Sequence, residues 1–314
     1  MHFSILDAEA YFGLAGVGAI LTVVIAAAII TGVLASLAFF RANRHGDDDA
    51  RSGVPWFKAA GALGSLWLVT AIVSPVTEYF LRQGHRTGSG DSFAFEFGMQ
   101  QFPIFTNFFM YTALATFQVA QIEFTIGLDY ASILSREREV SGFFDEASPV
   151  PHVIGLVVYI CIIVINSADL ACSELYNSGI DAAFWPMRMT ALSLDAALWL
   201  FSIGGLISTA CQHYAAPQKR LWRILMAMNS VTAFHHGGLT ILAGFRGVTI
   251  AQENLAYLST FISYSQLIFS SWMFVLCLSI GYGVSVMAYR NGGLWTKDIS
   301  SHISLEEAKL HCLD

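Results

Sequence analysis

The sequence contains few charged residues. Of its 314 residues, 12% are charged and 55% are hydrophobic. An average soluble domain carries about 25% charged residues, so this chain has about half of the usual charged surface. That deficit excludes a soluble enzyme, a secreted disulfide scaffold, a disordered tail and a nucleic-acid-binding protein. The composition instead indicates an integral membrane protein, in contact with membrane lipids.

Paired cysteines are missing, and so are lysines in the core of the apolar segments. The five cysteines are scattered without a Cys-x-x-Cys pair, so the sequence predicts no metal site. A retinal protein needs a lysine in its last span for the Schiff base, and this chain has none there. A b-type haem needs facing histidines on two helices, whereas His235 and His236 are adjacent. We therefore expect no cofactor and no metal.

Long apolar runs are the main positive feature. Runs of about 18–20 residues or more predict membrane-spanning helices. The seven predicted spans are 10–40, 57–81, 103–134, 152–176, 184–212, 221–246 and 255–288. The predicted fold is thus an all-α polytopic bundle of seven transmembrane helices over residues 1–289, followed by a short tail, 290–314. Residues 83–101, with Phe93, Phe95 and Phe97, are predicted to form a loop that is either a lid or an interfacial aromatic segment.

The distribution of positive charge predicts the orientation. Twelve of the sixteen Lys and Arg residues lie in the connections after spans one, three and five and in the C-terminal tail, and four lie on the other side. Cytosolic loops carry the excess of positive charge in membrane proteins. The N-terminus is therefore expected outside or in the lumen, and the tail in the cytosol.

Several polar side chains lie inside the predicted spans. An ionisable group costs about 2.5–3.5 kcal/mol at the centre of a spanning helix, so each calls for an explanation. Asp169 and Asp195 lie on the fourth and fifth spans, which a short turn around 177–179 joins as a tight hairpin. We expect their carboxyl groups to lie at one depth and to share a proton.

These polar groups have two interpretations. They can be interhelical contacts that hold the bundle together, each worth about 0.6–2 kcal/mol. They can also form a functional centre, because a carboxyl group in an apolar pocket can stay protonated and act as a general acid. Aromatic side chains would then stabilise a carbocation through their π faces. The candidate acids are Asp169 and Asp195, followed by Glu123 and Glu78, and the candidate base is His235 or His236. The candidate substrate-binding residues are Asn166, Arg188, Trp199, Tyr111, Phe234 and Tyr264.

Buried acids and aromatic residues in a short multi-span chain resemble the fungal integral-membrane terpene cyclases of meroterpenoid and indole-diterpene pathways. The resemblance implies an acid that opens a terminal epoxide on a prenylated substrate. Glu78, in Ser-Pro-Val-Thr-Glu-Tyr, matches the acid that this family places in an early helix. The last span contains no Asp or Glu, so the family's second acid has no counterpart there.

The predicted function is therefore a membrane-embedded terpene cyclase or isomerase with a lipophilic terpenoid substrate, located in the endoplasmic reticulum. Two alternatives remain open: a seven-helix receptor or transporter with a polar core, and a non-catalytic subunit of a larger assembly. The third span lacks an Asp-Arg-Tyr motif and the last span lacks an NPxxY motif, so the signatures of a G-protein-coupled receptor are missing. A diphosphate-ionising prenyltransferase needs paired aspartate motifs on helices to bind Mg²⁺, whereas the only aspartate cluster here is the loop triplet 47–49, so that chemistry is not expected.

Overall fold

The structure, a computed structural model, describes residues 5–42, 49–86, 93–134, 150–211, 219–250, 256–287 and 293–294. Within these residues the chain is all-helical, with seven α-helices and two short 3₁₀ turns, and the predicted all-α class is confirmed. The helices are α1 (Ile5–Arg41), α2 (Gly53–Arg86), α3 (Phe93–Leu134), α4 (Val150–Asn177), α5 (Phe184–Cys211), α6 (Lys219–Ile250) and α7 (Ala256–Val286).

The predicted loop at 83–101 is wrong over most of its length. Helix α2 continues to Arg86 and α3 already begins at Phe93, so Phe93, Phe95 and Phe97 lie in the first two turns of a helix. Apart from Gly98, the segment 93–101 contains no residue that opposes helix formation strongly. Residues 87–92 lie outside the described part of the chain.

The tight connection between α4 and α5 is confirmed. Gly179 has φ +86°, a backbone conformation that glycine adopts without a steric penalty. The amide of Ile180 donates to the carbonyl of Leu175 at 3.1 Å, and the amide of Gly179 donates to Tyr176 at 2.9 Å. This pair of hydrogen bonds is the Schellman arrangement, which ends α4 sharply. A 3₁₀ turn, Asp181–Ala183, then leads into α5.

The seven helices form a closed ring. Each helix packs against the next one along the chain, and α7 returns to α1. Helix α3 also contacts α5 and α6, so it lies inside the ring, and residues 110–121 are all buried. On its other side α3 packs closely on α2, where the Phe57 ring lies 6.3 Å from the Phe117 ring and 6.0 Å from the Phe124 ring.

Five helical segments are long and apolar enough to cross a membrane. They are Gly16–Arg41, Gly53–Val73, His152–Asn177, Asp181–Cys211 and Tyr264–Val286. In the described residues α3 and α6 fall short of that criterion, and these two helices carry most of the buried amide and imidazole side chains. The outer surface is rich in large apolar side chains, including Ile29, Val164, Leu200 and Phe234, as expected for contact with lipid.

The described part of the connection between α1 and α2 packs at one end of the bundle. A 3₁₀ turn, Asp49–Arg51, lies against α3 there. The buried Arg51 side chain donates from Nη2 to the carbonyl oxygen of Ser285 in the last turn of α7, at 2.9 Å. We call Asp49–Arg51 the end turn. Because a guanidinium is well suited to unsatisfied helix C-terminal carbonyls, the end turn fixes α7 relative to α2 and α3.

Candidate functional site

The most enclosed carboxyl group in the described helices is that of Asp195, in the middle of α5. Asp195 is 2% exposed, and its neighbours Leu194 and Leu198 are fully buried. The Tyr111 hydroxyl of α3 donates a hydrogen bond to Asp195 Oδ1 at 3.0 Å. The two side chains thus form a carboxyl–phenol pair between α3 and α5, surrounded by apolar packing.

Asp169 lies on α4 beside this pair. Its Oδ1 accepts a hydrogen bond from the Thr190 hydroxyl of α5 at 2.7 Å, and the residue is buried. Asp169 and Asp195 each have a hydroxyl partner of their own, Thr190 and Tyr111 respectively. A proton shared between these two residues stays a prediction.

Three buried amides tie α3 to its neighbours. Gln118 Nε2 donates to the Leu198 carbonyl of α5 at 2.8 Å, and Gln121 Nε2 donates to the Thr232 hydroxyl of α6 at 2.7 Å. Asn166 Nδ2 of α4 donates at 3.0 Å to the Thr112 hydroxyl. Contacts of this kind hold membrane helices together, so these amides have a structural role whatever else they do.

Glu123 lies far from the Asp195 pair. It follows Tyr111 by twelve residues on the same helix, which corresponds to about 18 Å along the axis. Its Oε1 lies 2.7 Å from Nδ1 of His152, at the start of α4. Glu123 therefore pairs with a histidine between α3 and α4, and the structure does not bring it to the other candidate acids.

His235 and His236 form a buried stacked pair on α6. Their ring centroids are 5.1 Å apart with an interplanar angle of 26°, and the exposed fractions are 2% and 0%. His235 also makes an edge contact with Phe269 of α7 at 5.5 Å. Nε2 of His235 and both ring nitrogens of His236 are buried without a hydrogen-bond partner among the described residues.

Four of the remaining candidates lie in different surroundings. The guanidinium of Arg188 lies 5.3 Å from the centroid of the Phe184 ring, one turn earlier on α5, and is half-buried. Phe234 is 68% exposed and lies on the outer surface of the helix bundle, whereas Tyr264 of α7 is buried. Glu78 lies on α2, and its side chain is outside the described part.

Trp199 connects the surroundings of Asp195 with the histidine pair. It lies one turn after Asp195 on α5 and is 38% exposed. Its indole nitrogen packs over Gly237, the residue directly after His236, at 3.0 Å from the position that a Cβ atom would occupy there. One contact between α5 and α6 therefore joins the turn after Asp195 to the residue after His236.

Sequence reasoning did not identify Thr190 as the partner of Asp169. Thr190 also lies within hydrogen-bond distance of the Pro186 and Met187 carbonyls of its own helix, as threonines in helices commonly do. Nothing in the sequence distinguishes it from the other hydroxyl residues of the spans. The Gly237-Gly238 pair after the histidines was a usable signal, since adjacent glycines in a helix indicate close packing by a neighbour.

No family model matches the sequence, and no curated protein or solved structure matches it either.

Proposed function

We propose that the protein is a membrane-embedded terpene cyclase or isomerase, in which Asp195 starts the cyclisation of an epoxidised or olefinic prenylated substrate by donating a proton. The observation that carries this proposal is the buried Asp195–Tyr111 pair. A buried carboxyl group that has only a phenol hydroxyl beside it can serve as a general acid towards a lipophilic substrate.

The proposed reaction conserves all atoms of the substrate. The carboxyl proton of Asp195 passes to the epoxide oxygen, and the adjacent C–O bond breaks. The electron pair of a nearby alkene then forms a new C–C bond to the cationic carbon, and a final proton loss gives an alkene. The Tyr111 hydroxyl, which already donates to Asp195 Oδ1, stabilises the carboxylate that proton transfer leaves behind.

Other groups have supporting roles in this proposal. Asp169 bonds to Thr190, five residues before Asp195 on α5, so it is the second candidate acid. His235 and His236 are candidate bases for the last proton, because the contact of Trp199 with Gly237 brings α6 close to the acid.

The proposed function is tested by product formation in microsomes from cells that express the full chain, supplied with a panel of epoxidised prenyl-phenols. We expect a cyclised isomer of unchanged mass from the wild-type protein and none from microsomes without it. Glu174→Gln is the matched control, because Glu174 lies at the exposed end of α4 and should retain turnover. Conversion of no substrate by the wild-type protein would count against the cyclase.

A receptor is the second candidate, and the arrangement of the helices favours it. A closed ring of seven helices with α3 inside and a polar centre is suited to enclosing a ligand and to transmitting a change in helix packing. Saturable binding of a lipophilic ligand, without turnover of any substrate in the panel, would place the receptor ahead of the enzyme.

We also propose that all seven helices cross the membrane, with the N-terminus in the lumen of the endoplasmic reticulum and residues 290–314 in the cytosol. The proposal rests on the charge distribution and on α3, whose polar residues are shielded by the ring. A protease added to sealed microsomes is expected to remove a C-terminal tag and to leave an N-terminal tag intact. Protection of the C-terminal tag would reverse the orientation.

A further inference from the structure

The stacked histidines of α6 have unused hydrogen-bonding capacity. A neutral imidazole has one N–H donor and one acceptor nitrogen. In His236 both are buried without a partner among the described residues, and Nε2 of His235 is a third such atom. Buried polar atoms normally have partners because leaving them unpaired is costly, so each exception calls for an explanation. Three unpaired ring nitrogens on adjacent residues indicate a site where a ligand binds.

Aromatic side chains cover the histidine pair on the side facing the outer surface. Trp199 packs on Gly237, and the Phe269 ring lies 3.3 Å from the position of a Cβ atom on Gly238. Phe234 contacts the Phe269 ring at 6.1 Å. We call Trp199, Phe234 and Phe269 the aromatic cover. Trp199 and Phe234 are substantially exposed, and Phe269 contacts both His235 and Phe234, so the aromatic cover extends from the imidazoles to the surface that would face lipid.

We propose that His235 and His236 bind the hydroxyl group of a lipophilic alcohol or phenol, which enters from the bilayer between α5, α6 and α7 by displacing the aromatic cover. A hydroxyl group both donates and accepts, so it can accept from an imidazole N–H and donate to an acceptor nitrogen. A ketone or ether only accepts, and it would leave the acceptor nitrogens unpaired. The inference rests on the proposed function, because the hydroxyl group bound here would be the polar end of the proposed substrate.

Binding can be measured without any reaction, because a probe that lacks an epoxide serves for the purpose. The experiment uses the full chain in lipid nanodiscs, tritiated farnesol as the probe, and empty nanodiscs to subtract partitioning into lipid. We expect saturable binding of farnesol, and at least about tenfold weaker competition by farnesyl methyl ether, which cannot donate a hydrogen bond. Equal competition by the ether would overturn the proposal.

His236→Phe is the decisive variant, because it distinguishes ligand recognition from a structural role. Phenylalanine fills a similar volume and removes the unpaired nitrogens, so we expect the melting temperature to rise while farnesol binding falls at least about tenfold. His235→Phe should show the same two changes. Unchanged binding, or lost binding together with a lower melting temperature in both variants, would contradict the proposal.

The route through the aromatic cover has its own matched pair of variants. Gly237→Ala places a methyl group 3.0 Å from the Trp199 nitrogen, whereas a methyl group at Gly204 on the neighbouring helix meets nothing within 4 Å. We expect slower farnesol association in Gly237→Ala and a wild-type rate in Gly204→Ala. Equal rates would exclude entry at this point.

The outcomes also separate this site from the cyclase. Farnesol binding without turnover of any epoxide would support the hydroxyl site and contradict the proposed function. An unchanged KM in His236→Phe, whatever the change in kcat, would contradict the hydroxyl site and leave the cyclase in place.

Discussion

Replacing Asp195 by asparagine is expected to lower turnover by about 10²–10⁴-fold, the usual contribution of a general acid, while the protein still folds and inserts. Asparagine keeps the shape of the side chain, and its amide oxygen can accept the hydrogen bond that the Tyr111 hydroxyl gives to Asp195 Oδ1. What the variant lacks is the proton that opens the epoxide. The measurement is the initial rate of product formation, normalised to the amount of folded protein.

Two further variants test the assignment of the acid. Tyr111→Phe leaves Asp195 in place but removes the hydroxyl group that donates to it. We expect turnover to fall by about tenfold, which corresponds to the loss of one hydrogen bond to a charged group. Near wild-type turnover in Asp195→Asn together with a large loss in Asp169→Asn would transfer the role of the acid to α4. Loss of folded protein in Asp195→Asn would assign the Asp195–Tyr111 pair to structure instead of catalysis.

The second large effect is expected at Gly127, where α3 packs against the end turn. A Cβ atom at Gly127 would lie 2.1 Å from the carbonyl oxygen of Ala50. This oxygen cannot easily move away, because the adjacent Arg51 is anchored to the Ser285 carbonyl. Gly127→Ala is therefore expected to cost about 3 kcal/mol or more in the free energy of unfolding, at the upper end of overpacking substitutions. We expect a melting temperature in detergent that is lower by at least about 6 °C.

Gly32→Ala provides the matched control, since it is the same substitution in the middle of α1. A methyl group there meets nothing within 4 Å. Alanine has the higher helix propensity, so this variant is expected to be unchanged or stabilised by about 0.5–1 kcal/mol. Equal melting temperatures for the two variants would show that the end turn does not press against α3 as described.

The sequence allowed most of the fold to be predicted, because long apolar runs and helix boundaries are local properties. All seven helices lie where the apolar runs predict them, and the connection at Gly179 is recognisable from a glycine followed by a new run. The prediction of a loop is wrong at 83–86 and 93–101, because the polar residues there interrupt the apolar run without interrupting a helix. Hydropathy measures suitability for lipid, whereas helix formation depends on the backbone and on neighbouring packing.

The candidate site could be predicted only in part. Burial of Asp195 follows from its helix face, which it shares with the buried Ser202 seven residues later. Its partner Tyr111 is 84 residues away, and the choice among all the hydroxyl groups of α3 depends on how the helices pack. The sequence also gave no means of orienting Phe234. Successive helix residues point about 100° apart, so Phe234 faces outward while His235 and His236 face inward.

The position of α3 inside the ring bears on how the chain is assembled during its synthesis. Helix α3 is made before α5 and α6, yet the Gln118 amide bonds to Ser202, 84 residues later, and the Gln121 amide bonds to Thr232, 111 residues later. Both amides therefore lack these partners until α5 and α6 have been synthesised. In that interval α3 can pack on α2 through Phe57 and on α4 through Asn166, but not yet on α5 or α6. We therefore expect α2 and α3 to pack together before α5 and α6 complete the ring.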